Sequence, residues 1–178
     1  SLYGEPDIFH FAVPGLTEAD SLAMIRHEAS LRNLPDLASA PNAVLRPIYA
    51  TVGGNPLALR LVIGQTHVHS LDAVLENLRA ARGATAENLY TFIYENAWHG
   101  LDDRARRAFL AMPLAPARGA DLAYLRDISA LSLADMTDAL NTLVTLNLVD
   151  TRGELGARTY SIHNLTRSFL QEQVARWQ

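Results

Sequence analysis

Two residue types are missing from this 178-residue chain: it has no cysteine and no lysine. The first absence excludes disulfides, thiolate nucleophiles and cysteine-ligated zinc. The second excludes Schiff-base catalysis, and it excludes a working P-loop, whose Gly-x-x-x-x-Gly-Lys-[Ser/Thr] motif needs the amine to grip phosphate. Arginine supplies all the basic charge, a bias that G+C-rich coding produces, and the formal net charge is -4. No apolar run approaches the roughly 20 residues of a membrane-spanning helix. The N-terminus lacks the charged-then-apolar pattern of a secretory signal. These features lead us to expect a soluble, cytoplasmic protein. Histidines are few and scattered. His67 and His69 have alternate spacing without a third ligand nearby, so no metal site is expected.

About half of the residues, 49%, are apolar, enough for a true core, and their spacing is mostly helical. Residues 7–13 read as a strand, with Ile8, Phe9, Phe11 and Val13 apolar. No partner strand follows until the far end of the chain, so this piece reads as the edge of a sheet lying outside the chain or as a tail. After the Pro14-Gly15 break, Thr17 is placed to cap a helix that runs to about Leu31. Further helices are expected over 42–51, from Pro56 through an almost wholly apolar stretch whose one charged residue is Arg60, and from a cap at Ser70. Together, residues 14–84 predict a four-helix unit.

A second unit is expected over 85–178. Apolar stripes mark helices with Leu89, Phe92, Ile93 and Ala97 inward, then Ala105, Ala108, Phe109 and Met112, then Leu122, Leu125 and Ile128. Ser132-Leu-Ala-Asp135 is a capping-box signature that opens a helix to about Leu146, with Leu133, Met136, Leu140 and Leu143 on one face. Two short strands, 148–151 and 158–162, flank Gly153 and Gly156, and a last helix runs from Leu165 to Trp177 with Leu170 and Val174 inward. Three helices followed by a β-hairpin is the order of a winged helix-turn-helix. The expected class is therefore mainly α, a four-helix domain followed by a winged helix with a small hairpin.

Two short motifs carry a resemblance. Gly54-Asn55-Pro56-Leu57-Ala58-Leu59 looks like the Gly-x-Pro-Leu-Ala motif of the NB-ARC family of STAND-class signalling NTPases. Tyr160-Ser161-Ile162-His163-Asn164-Leu165 resembles the Met-His-Asp motif that ends the winged helix of that family. Between them, Tyr94 to Leu101 and Arg107 to Leu110 are similar to the text that opens the family's winged helix. The likeness spans nearly the whole chain, in order and spacing. It implies a helical lid and a winged helix, preceded by a P-loop α/β domain whose last strand would be residues 7–13. It also implies ADP or ATP as ligand, with magnesium in the complete protein, slow ATP hydrolysis there, and protein partners or self-assembly on activation. Neither catalysis nor tight nucleotide binding is expected of this chain alone.

The resemblance implies nucleotide contacts from Gly54, Pro56, Leu57 and His163. A glycine-flanked proline offers a rigid apolar edge without an amide to satisfy. The family's matching proline lies against adenine or sugar; by itself, Pro56 also reads as an ordinary helix start. His163 sits where the second wing strand meets the last helix, whose free amides and dipole favour phosphate. The family's matching histidine contacts the β-phosphate of ADP; by itself, His163 also reads as locally satisfied beside an Asn164 cap. Here Ile162 replaces the family's methionine and the uncharged Asn164 replaces its aspartate. The alternative function, a DNA-binding winged-helix regulator, meets an electrostatic objection. Residues 133–146, the would-be recognition helix, contain Asp135 and Asp138 and no basic residue, whereas DNA affinity comes largely from cations on phosphates.

Overall fold

The computed structural model describes residues 15–80, 86–154 and 157–176. The strand expected over 7–13 and the boundary expected at 84/85 lie outside them, as do the side chains of Leu89 and Val174 and all of Trp177. Ten α-helices, a single 3-10 turn and two strands make up the described residues, so the chain is mainly helical with a small antiparallel hairpin.

The first part comprises α1 (Glu18–Leu31), α2 (Pro35–Ala38), α3 (Asn42–Val52), α4 (Pro56–Gln65) and α5 (Leu71–Ala80). Four of these match the expected helices. The one-turn α2 falls in the proline-punctuated stretch, where Pro35 occupies a helix start and Leu37 reaches the core. Thr17 caps α1 as expected, its hydroxyl oxygen accepting from the Asp20 amide at 3.2 Å. At the other end Asn33 adopts φ 57°. The amides of Asn33 and Leu34 then bond back to the carbonyls of Ser30 and Ala29, at 3.2 and 2.9 Å, a Schellman ending built on asparagine rather than glycine.

The second part comprises α6 (Ala86–Gly100), α7 (Asp103–Ala111), a 3-10 turn (Met112–Leu114), α8 (Leu122–Ser129), α9 (Leu133–Thr145), β1 (Asp150–Arg152), β2 (Thr159–Ser161) and α10 (Asn164–Arg176). Strands β1 and β2 pair antiparallel, with Asp150 opposite Ser161. The other edge of β2 carries an isolated bridge to Ala120, whose amide and carbonyl both bond Tyr160. Ser132 forms its expected cap, accepting from the Asp135 amide at 3.1 Å. One expected core residue is corrected. Leu133 is 55% exposed, because the first residue of α9 lies beside the wing rather than beneath it; it lines an open cleft with Leu122 and Tyr160.

Both parts share one buried cluster, from Leu22 and Ile25 through Leu59 and Ile63 to Ile93, Phe109, Leu143 and Leu170. Each such large side chain contributes on the order of 1.5–3 kcal/mol when removed from water. A close backbone approach joins α4 to the end of α9. A Cβ built on Gly64 would lie 2.1 Å from the carbonyl oxygen of Leu146, so only glycine lets these backbones touch.

Candidate functional site

The residues of the first motif surround the start of α4. Asn55 is its N-cap: Oδ1 accepts from the amides of Leu57 and Ala58 at 3.0 and 3.2 Å. Pro56 follows at the first helical position, where a missing amide costs nothing, and it is exposed. Leu57 is partly buried against the core. Gly54 has a structural task of its own. Its carbonyl accepts from the Leu16 amide at 2.7 Å, and a Cβ there would sit 2.0 Å from the Leu16 carbonyl oxygen. The close approach that glycine permits is thus occupied by the segment entering α1.

His163 is the cap of α10. Its Nδ1 accepts from the Leu165 amide at 3.2 Å, and its carbonyl receives the first helical bond, from Arg167 at 3.0 Å. The ring, rather than Asn164, therefore does the capping. An accepting Nδ1 leaves the proton of the neutral imidazole on Nε2, where an exposed ring can donate outward. Arg167 anchors the same turn to the 3-10 segment through the carbonyls of Pro113 and Ala115.

Two connections join these ends of the molecule. The first runs through α6. Tyr90 lies close to the Asn55 side chain, although its shielded hydroxyl makes no hydrogen bond of good geometry. One helical turn on, the Tyr94 hydroxyl is 2.7 Å from Thr166 Oγ1, in the first turn of α10. Burial pushes the Tyr94 phenol up to about 12, with the Thr166 bond pulling against it and the charge of Asp150 adding to the rise, so the phenol stays neutral. The second connection runs through Arg60, one turn after Pro56. Its guanidinium meets Asp150 on β1 at 2.6 Å and Glu28 on α1 at 3.5 Å. Burial lowers the Arg60 pKa, but bonding and charge from Asp150, then Glu28, more than offset that and leave it raised. Asp150 in turn faces Ser161, two residues before His163.

The same junction holds three further polar ties. Asn147, buried with φ 58°, donates from Nδ2 to the Arg60 carbonyl at 2.8 Å. Arg32 donates to the Val144 carbonyl at 2.8 Å, placing a cation at the C-terminal end of α9 where the helix dipole favours it. Gln65, also buried, donates to the Ile93 carbonyl at 3.1 Å. In the sequence Arg60 stands out only as the single charge on an apolar helix. That is the signal of a partnered charge, but the partners lie too far away in sequence to be named from it.

Near both ends, an open cleft of about 330 Å³ separates α6 from α10, lined by Tyr90, Tyr94, Leu165, Phe169 and Glu172 among others. Its wall is apolar and aromatic, and its one charge is acidic, so it does not suit phosphate; the free amides and ring of the His163 corner do. Elsewhere, the exposed face of α9 holds Asp135 and Asp138, which Arg104 bridges to Asp102. Its bond to Ser132, then its bond to Arg104, hold the Asp135 carboxyl below the usual range. Among the described residues there is no group of three potential metal ligands and no helix long and apolar enough to cross a membrane. A scan against family models finds no match for the chain, and a search of curated proteins finds no relative.

Proposed function

We propose that this chain is the lid and winged-helix part of a nucleotide-dependent signalling switch, with Pro56 and His163 contributing to one ADP or ATP site. The reading rests on the resemblance of the two motifs. The observation that supports it best is the junction: Arg60 ties the helix begun by Pro56 to the strand pair that delivers His163. An anion at the His163 corner would meet unpaired helix amides and an imidazole donor. The chain supplies contacts and regulation, not hydrolysis, because a P-loop lysine has to come from another domain, here proposed to precede residue 1 in cis and to bring magnesium. Swinging the winged helix away would part the Arg60–Asp150, Asn147–Arg60 and Arg32–Val144 contacts. Water can resolvate those polar groups, but the shared apolar cluster and the Gly64–Leu146 packing would part as well, so opening has to be offset by differential binding of nucleotide and the preceding domain.

DNA is not the partner in this reading. The carboxylates of Asp135 and Asp138 on α9 would repel phosphates, and protein partners in the cytoplasm fit better. The test is a calorimetric titration of ADP into this chain and into the protein extended through its preceding domain. Binding is expected only in the extended protein. Micromolar affinity in the chain alone, or an extension without a phosphate-binding lysine, would overturn the reading.

A further inference from the structure

We propose that Tyr94 is a positioning residue for His163, acting through Thr166; the proposal deepens the reading of His163 as a phosphate contact and rests on it for its functional meaning. Thr166 is the third residue of α10. Its hydroxyl is held 2.7 Å from the Tyr94 hydroxyl, with both residues at most 2% exposed, and this pins the first turn of α10. His163 caps the same turn, its Nδ1 taking the amide of Leu165, the residue next to Thr166. That acceptance fixes the tautomer and so keeps the Nε2 proton on the exposed side.

The phenol is itself fixed. Its ring stacks on Phe169 with centroids 5.0 Å apart, so α6 and the first two turns of α10 are locked on both an apolar and a polar contact. Tyr90, one turn earlier on the same helix, lies beside Asn55, the cap of α4. Helix α6 thus spans from the Pro56 end to the His163 end and sets the spacing between them. Loss of either hydroxyl unpins the first turn of α10, so the Leu165 amide drifts from Nδ1 and the imidazole proton distributes between both nitrogens.

The test uses this chain and no nucleotide, so its failure is distinct from failure of the switch reading. Tyr94→Phe keeps the ring and its stacking. Nitrogen shifts of the His163 ring and exchange of the Leu165 amide are recorded by NMR, in wild type, Tyr94→Phe, Thr166→Val and Thr166→Ser. The expected result is a single Nε2–H tautomer in wild type and Thr166→Ser. In Tyr94→Phe and Thr166→Val, the tautomers mix and Leu165 exchanges about fivefold faster or more, consistent with loss of one cap of roughly 1 kcal/mol. Unchanged ring shifts and Leu165 exchange in both hydroxyl-deleting variants, whatever their melting temperatures, would reduce Tyr94 to a structural residue and overturn the proposal.

Discussion

Removing Asp150 should loosen the tie between α4 and the hairpin, and its cost follows from the surroundings. The Arg60 and Asp150 side chains are 24% and 32% exposed and meet at 2.6 Å. That places the pair between exposed ion pairs, worth about 0–1 kcal/mol, and buried ones, where stranding a partner costs about 3–5 kcal/mol. Asp150→Ala leaves Arg60 with Glu28 alone, and a loss of about 2 kcal/mol is expected, close to that of a charged hydrogen bond. Arg60→Met strands Glu28, only 13% exposed, and should cost about 3 kcal/mol. The double variant should recover part of the sum, giving a coupling of about 1–2 kcal/mol. Urea unfolding of all four proteins measures it, and in a chain of this size the single Asp150 change should lower the melting temperature by about 4–8 °C. A coupling within about 0.5 kcal/mol of zero would mark the contact as an ordinary surface pair and refute the claim that it holds the junction.

Gly64→Ala tests the backbone contact between α4 and α9. Alanine should gain up to about 1 kcal/mol of helix preference, yet its Cβ would meet the Leu146 carbonyl, so a net loss of about 2 kcal/mol is expected in thermal melting; a neutral or more stable variant would contradict that geometry. His67 gives a pH dependence: burial, and next the Arg32 charge, hold its pKa below the ordinary value of 6.5. A base whose pKa falls on folding binds protons more readily when unfolded, so its contribution is full above pH 6.5 and declines as the pH drops below it. His67→Gln should flatten stability between about pH 5 and 7, and an unaltered profile would assign the dependence elsewhere.

Much of this architecture could be read in the sequence because local signals dictated it. Thr17, Ser132, Pro56 and the glycine-marked hairpin act within a few residues of themselves, and the apolar stripes fixed which helix faces turn inward. What escaped was either short or distant. The single turn α2 is too brief for a period to show. The helix endings at Asn33 and Asn147 use asparagine in left-handed conformation, where glycine is the usual marker. Leu133 fits the stripe by spacing, but its neighbours across space are the wing and open solvent. The junction partners of Arg60 and the Tyr94–Thr166 contact join residues remote in sequence, and periodicity carries no record of them. The candidate residues themselves came from motif likeness. The fold adds to Pro56 and His163 a shared set of supports, and it gives Gly54 a packing role against Leu16 that its motif did not suggest.

The most direct test of the switch reading is the rate at which ADP leaves the protein extended through the proposed P-loop domain, compared between wild type and His163→Ala. Loss of a donor to a charged phosphate, worth about 1.5–3 kcal/mol, should speed release by about tenfold to a hundredfold, with DNA affinity absent in both proteins. Identical ADP release from the two would remove His163 from the nucleotide site and contradict the account at its centre.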